Sequence, residues 1–216
     1  GEALSIERED SSWRVRVGGD WISARDVVLA CPAYVSGSIV GTVAPELGRE
    51  VSSIPYSSAI LLTLIFQRAE LNHLVSGFGF LTPPSERKTL AAATYIHTKF
   101  PSRVGEGLAA LRGFVVGNQA ETLMNAPDSD LLRLVREDFK RLLKIEAQPV
   151  TYAIHRWPKS MPQYVVGHAE RYRRICQHLQ GLPGLYVISN AYEGVGIPDC
   201  VRLAKETANS LASRSF

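Results

Sequence analysis

The stretch Leu185-Tyr186-Val187-Ile188-Ser189-Asn190-Ala191-Tyr192-Glu193-Gly194-Val195-Gly196-Ile197-Pro198-Asp199-Cys200 decides the reading of this chain. Five residues of strand character run into a loop with two glycines, and Pro198 stands where a first helical turn tolerates proline. The pattern predicts a short buried strand, a loop over residues 190–197 and a closing helix over 198–213. Glycines let a ligand approach the backbone closely, and the free amides and positive dipole end of the helix favour an anion or an electron-rich ring edge. An ordinary strand-to-helix connection, with the glycines serving the turn alone, is the competing reading at this point.

Working outward, residues 168–180 read as a helix. Trp157-Pro158-Lys159-Ser160-Met161-Pro162 reads as irregular, because two prolines four apart interrupt both helix and ladder. A strand is expected at 150–156. The most secure helix lies between residues 127 and 144, where Leu131, Leu134, Val135, Phe139, Leu142 and Leu143 recur at helical spacing with Asp128, Ser129 or Asp130 as N-cap. Residues 57–67, 78–82, 89–100 and 108–117 have strand character and predict an antiparallel sheet. Nearer the start, residues 4–8 and 13–17 alternate, and Gly18-Gly19-Asp20 marks a hairpin within a small meander. The meander ends in Val27-Val28-Leu29-Ala30-Cys31-Pro32, an apolar run expected to be covered on both faces. Residues 33–51 read as two short helices or as a helix and a turn, with Pro45 at a first helical position. The fold class is therefore α+β, with an antiparallel or mixed sheet flanked by helices.

The 216 residues, 45% hydrophobic and 21% charged with a net charge of +3, describe an ordinary globular protein. Its basic residues are scattered, which argues against a nucleic-acid partner. No apolar run reaches the roughly 20 residues of a membrane-spanning helix. Cys31, Cys176 and Cys200 show neither disulfide nor zinc spacing, and a reducing, cytoplasmic setting fits best. The five histidines, His73, His97, His155, His168 and His178, lack metal-ligand spacing and are read as structural or surface residues; no metal site is expected. The chain contains no nucleophile elbow, Walker loop or complete dinucleotide fingerprint. It opens on Gly1 with no leader pattern and reads as a piece cut from a longer protein.

Residues 190–200, continued by Val201-Arg202-Leu203-Ala204-Lys205-Glu206-Thr207-Ala208, resemble the C-terminal signature of the flavin-dependent protoporphyrinogen oxidase family within the amine oxidase-like superfamily. Trp157 to His168, Gly77-Phe78-Gly79-Phe80-Leu81, Phe100-Pro101 and the strand before Pro32 resemble further family segments in the same order. The resemblance spans nearly the whole chain but only the family's C-terminal half. It implies late strands and the C-terminal helix of an FAD-binding domain at residues 1–53 and 151–216, lacking the N-terminal βαβ unit, around a substrate-domain sheet at 54–150. It further implies that Gly194, Val195 and Gly196 approach the flavin with Trp157 nearby, and that Phe78, Leu81, Thr94 and Met161 line a tetrapyrrole cavity. Core packing is the alternative for Trp157 and for the four cavity residues.

The implied activity is six-electron oxidation of protoporphyrinogen IX by FAD and oxygen in haem biosynthesis, with coproporphyrinogen III as the alternative substrate. The implied cofactor is FAD, the catalytic residue is unassigned, and this chain alone is expected to be inactive. Arg103, Arg112 and Arg156 are propionate contacts by charge alone, with solvated surface favoured for each. An amine oxidase or carotenoid desaturase relative fits the C-terminal motif less well. A non-catalytic module that binds a tetrapyrrole or a protein partner is the reading from another class. Exposed apolar surface is expected where the missing half would dock, and with it dimerisation or aggregation, and the resemblance allows peripheral membrane association of the parent.

Overall fold

The computed structural model describes residues 1–74 and 77–213. The chain divides into two compact units, Gly1–Tyr56 with Pro162–Phe216, and Ser57–Met161. The expected second crossing at residue 150 moves to 161/162. The reason is that residues 151–161 continue as a strand of the inserted sheet.

The first unit begins with an antiparallel meander of β1 (Ala3–Glu9), β2 (Ser12–Val17) and β3 (Asp20–Ala24). Val17 pairs with Asp20, which leaves Gly18 and Gly19 as a two-residue turn. β4 (Val27–Leu29) follows, then α1 (Ala33–Val40) and α2 (Pro45–Ser52), the latter with proline in its first turn. Val27 and Leu29 are buried, but Val28 is 38% exposed, so one face of this strand stays open in the described chain. That corrects the expectation of cover on both faces.

The second unit is built on β5 (Tyr56–Gln67), β6 (Gly79–Leu81), β7 (Ala92–Tyr95) and β8 (Leu108–Val116). Residues 96–100, expected to extend a strand, instead form the short α3 (Ile96–Lys99), because β7 loses its partner where β6 begins and Pro101 starts a tight turn. The helix α4 (Asn118–Leu123) and the long α5 (Asp128–Leu143) come next. The N-cap of α5 is Pro127 and not an acidic or hydroxyl side chain; Asp128 pairs with Arg156 at 2.7 Å instead. His73 lies in a segment whose side chains are outside the described residues.

The last sheet strand, β9 (Thr151–Pro162), runs straight through the segment expected to be irregular. Among the described residues the sheet order is β6-β7-β8-β5-β9, which puts β9 on an edge. An edge strand needs ladder bonds on one side only, so its prolines are tolerated. Lys159 adopts a φ of 45°, and its amide donates to the Ser58 hydroxyl at 3.0 Å. The chain then returns to the first unit through α6 (His168–Gln180), β10 (Leu185–Val187) and α7 (Ile197–Ser213). β10 pairs in parallel with β4.

Each unit has its own core. Trp13, Ile6, Leu47, Ile175, Leu185 and Tyr192 belong to the first, while Leu62, Leu64, Phe66, Leu111, Leu131 and Phe139 hold the second. One polar device is sunk into the second core: Asp138, 2% exposed, accepts the amides of Thr89 and Leu90 at 2.9 and 2.8 Å and pairs with Arg141 at 2.7 Å. Asp138→Ala would strand two amides and a guanidinium. It should lower unfolding stability by about 3–5 kcal/mol in urea titrations, whereas a solvent-facing Asp130→Ala should change it by less than about 1 kcal/mol.

Candidate functional site

The residues after β10 form a constrained loop of the first unit. Ala191 and Tyr192 are buried and anchor it in the core, whereas Val195 and Ile197 are 60% and 81% exposed. Gly194 has a φ of 106°, a conformation that side chains rarely adopt, and a Cβ there would run into the Asp199 carboxylate. The Val195 and Ile197 side chains thus face outward, while the Cβ positions of Gly194 and Gly196 point at Asp199. α7 starts directly behind it, and the amides of Ile197 and Asp199 lie in the first turn, beyond the reach of the helix's own carbonyls. Asp199 already supplies a negative charge at this dipole end and offsets part of its attraction for anions.

Two side chains outside the loop hold it in place. The Tyr164 hydroxyl accepts from the Gly194 amide at 2.8 Å and donates to the Asn190 carbonyl at 3.0 Å. Its ring stacks on His168, centroids 3.9 Å apart and planes 12° from parallel. Buried His168, at the start of α6, places Nε2 3.1 Å from the Tyr192 carbonyl and so donates there from that nitrogen. Backbone groups of residues 190, 192 and 194 are therefore tied to a tyrosine and a histidine four positions apart. Glu193 is held as well, its side chain by the Tyr172 hydroxyl at 3.0 Å and its carbonyl by Arg202 at 3.2 Å.

The sequence reading singled out neither Tyr164 nor His168 for the site. The legible signal is the Tyr-x-x-x-His spacing just ahead of a helix, and His168 is expected from the sequence in a structural or surface role.

The remaining candidates lie in the second unit. Leu81 and Thr94 share one face of the sheet, since Gly79 pairs with Thr94 and Leu81 with Ala92. Phe78, 66% exposed, precedes β6 and accepts the Tyr95 amide with its carbonyl. Met161 and Trp157 are on β9, at the opposite edge of the sheet from β6. Leu81 is 83% exposed, Trp157 53% and Met161 45%. Phe78, Leu81, Trp157 and Met161 are thus exposed in the described chain, and Thr94 is half-buried.

The three arginines weighed as anion contacts have different fates. Arg156 is used internally by the carbonyls of Met124 and Ala126 and by Asp128, and Arg103 lies over the Phe100 ring. Arg112 projects from the middle of the sheet on the Thr94 face. Among the described residues, no three His, Cys, Asp or Glu side chains are grouped to hold a metal ion, and no helix is long and apolar enough to cross a membrane.

Comparison with known proteins bears on this geometry. The flavin containing amine oxidoreductase family matches residues 2–212. The chain belongs to this family. It is 27% identical over 199 residues to coproporphyrinogen III oxidase of Bacillus subtilis, covering 92% of this chain and 42% of that protein. It is 26% identical over 200 residues to the chloroplastic protoporphyrinogen oxidase of Nicotiana tabacum, covering 88% and 36%. A crystal structure from Exiguobacterium sp. 255-15, provisionally assigned as a protoporphyrinogen oxidase, superposes with a TM-score of 0.85 at 28% identity, covering 99% of this chain and 46% of that one. The chain spans less than half the length of each of these relatives. The mixed α+β architecture of antiparallel sheets and helices is the family's fold.

Burial raises the pKa values of Tyr56, Tyr164, Tyr172 and Tyr192, all in the first unit. A raised folded value means that the stabilisation is complete below the ordinary tyrosine value of about 10 and is lost as pH climbs through the folded values. The urea midpoint should hold between pH 7 and 9 and fall by pH 11. Tyr164→Phe removes the acceptor of the Gly194 amide, and hydrogen exchange at that amide should become about tenfold faster while amides in the second core keep their rates.

Proposed function

We propose that this chain is the C-terminal part of an FAD-dependent oxidase that converts protoporphyrinogen IX to protoporphyrin IX, with coproporphyrinogen III as the alternative substrate. The observation that carries the reading is the Gly194–Gly196 loop just ahead of α7, with Gly194 at a φ of 106° and Val195 exposed, in a chain that matches a flavin family over residues 2–212. The relatives' names supply the substrate class. Those named for either porphyrinogen match at comparable identity, 27% and 26%, so overall similarity does not choose between the two.

The first unit is then the late part of the FAD-binding domain and the second the substrate-binding domain. Gly194, Val195 and Gly196 meet the isoalloxazine through their backbone, and a side chain at 194 would run into Asp199 and displace the loop that carries this backbone. The α7 dipole favours negative charge on the ring's pyrimidine edge, moderated by Asp199. Tyr164 and His168 keep the loop rigid so that it needs little ordering when the ring arrives. Trp157 is proposed as an aromatic neighbour of the flavin, and Phe78, Leu81, Thr94 and Met161 as substrate contacts. FAD, when bound, supplies the two-electron acceptor. Three cycles move six electrons from the porphyrinogen to three molecules of oxygen and yield the porphyrin and three of hydrogen peroxide.

The test is the complete FAD-loaded protein in air-saturated buffer with protoporphyrinogen IX or coproporphyrinogen III. Porphyrin fluorescence should rise far above the enzyme-free rate with one of them. A rate equal to the enzyme-free control with both substrates overturns the reading. The 216-residue chain alone should leave free FAD fluorescence unquenched up to millimolar cofactor, because the family's pyrophosphate-binding fingerprint is not within it.

A further inference from the structure

Strands β5 to β8 contain a single charged residue, Arg112. Its register partners are Thr63 on β5 and Thr94 on β7, so a polar row Thr94-Arg112-Thr63 crosses the middle of the sheet. The next row on the same face is Leu81-Ala92-Phe114-Leu61, apolar throughout and about 14 Å long at ~4.8 Å per strand. The opposite face packs Leu62, Leu64, Leu111 and Val115 into the core. The Arg112 row therefore lies on the face away from that core, and Thr94, Arg112, Thr63, Phe114 and Leu61 are half-buried.

Half-burial of a guanidinium calls for partners. Arg112 donates Nε to the Thr63 hydroxyl at 3.1 Å, and among the described residues no carboxylate pairs with it. That arrangement fixes the plane of the guanidinium while leaving its two terminal nitrogens, a fork that matches a carboxylate with two parallel hydrogen bonds. Arg156 cannot do the same, since carbonyls and Asp128 occupy it, and Arg103 is spent on the Phe100 ring.

We propose that Arg112 receives a propionate carboxylate of the tetrapyrrole, whose apolar body lies along the Leu81-Ala92-Phe114-Leu61 row. This rests on the porphyrinogen reading above and assigns the carboxylate contact within it. The contact orients the ring and contributes more to a ligand with four carboxylates than to one with two, because any of its edges can then reach Arg112.

The experiment is fluorescence titration of the complete FAD-loaded protein with coproporphyrin III, protoporphyrin IX and the tetramethyl ester of coproporphyrin III. Arg112→Met should weaken both free acids about 10- to 100-fold and leave the uncharged ester within about threefold of wild type. Arg112→Lys, which keeps the charge without the fork, should fall between, and an unchanged flavin spectrum in this variant reports an intact fold. Equal losses for ester and acids would reduce Arg112 to a packing role and overturn the proposal, as would unchanged acid binding in Arg112→Met. Wild-type protein that binds neither acid would overturn the porphyrinogen reading, and this assignment with it.

Discussion

The parallel pairing of β4 with β10 is the constraint on which the first unit depends. Val27, Val28 and Leu29 align with Leu185, Tyr186 and Val187, closed at one end by the Val27 amide on the Gly184 carbonyl at 2.7 Å and at the other by the Ile188 amide on the Leu29 carbonyl at 3.0 Å. The Trp13 indole adds a bond to the Pro183 carbonyl at 3.0 Å. Three-residue strands cannot hold such a pairing by hydrogen bonds alone. Burial of Val27, Leu29, Leu185 and Val187, on the order of 1.5–3 kcal/mol each, carries it. The whole inserted sheet separates the two strands in sequence, yet the closure entropy grows only slowly with loop length, so an insert that folds for itself is tolerated. Parallel strands send both carboxyl ends to the same side, where α/β folds bind their ligands. Cys31-Pro32 leaves one strand there and the Asn190 loop leaves the other.

A loop that presents backbone to a ligand is useful only if it is already in shape. Here the shape is over-determined: Ala191 and Tyr192 are sunk in the core, Gly194 adopts a dihedral few side chains share, and Tyr164 and His168 tie down three backbone positions. The hydroxyl of Tyr164 serves as acceptor and donor at once, so one side chain satisfies two groups that the turn would otherwise leave to water. Its stacking on His168 makes the two side chains act as one clamp.

Periodicity made much of this legible in advance. The long apolar face of α5, the alternation in β5 and β8 and the Gly18-Gly19 turn all follow from local rules, and the strand-loop-helix after Leu185 could be read residue by residue. What escaped was set by neighbours. The prolines of residues 157–162 forbid an inner strand and permit an edge strand, and only the sheet order tells which applies. Strand propensity runs on past Tyr95, but pairing with β6 ends there and Pro101 lies ahead, and the chain turns helical although β8 continues to Leu108. Asp128 could cap α5 on local grounds, yet the Arg156 guanidinium claims it. Charge alone could not rank Arg103, Arg112 and Arg156 either, because their difference lies in which carbonyls, rings and carboxylates surround them.

The distribution of charge accords with the proposed flavin-dependent function. Hydride acceptance by a flavin asks no carboxylate or histidine of the protein to change its proton at a set pH, and no convergent acid-base pair is evident in the sequence or around the glycine loop. The protein's contributions are then position and fixed charge. Under the proposed function a backbone loop at a helix start would supply both toward an electron-rich ring, and the single guanidinium in strands β5 to β8 would supply both toward a carboxylate. Half-burying a charge that has a hydroxyl but no carboxylate for a partner is unfavourable unless something offsets it. That cost makes Arg112 hard to explain as a device for stabilising the fold, and a carboxylate that arrives with the ligand is the partner that would compensate it.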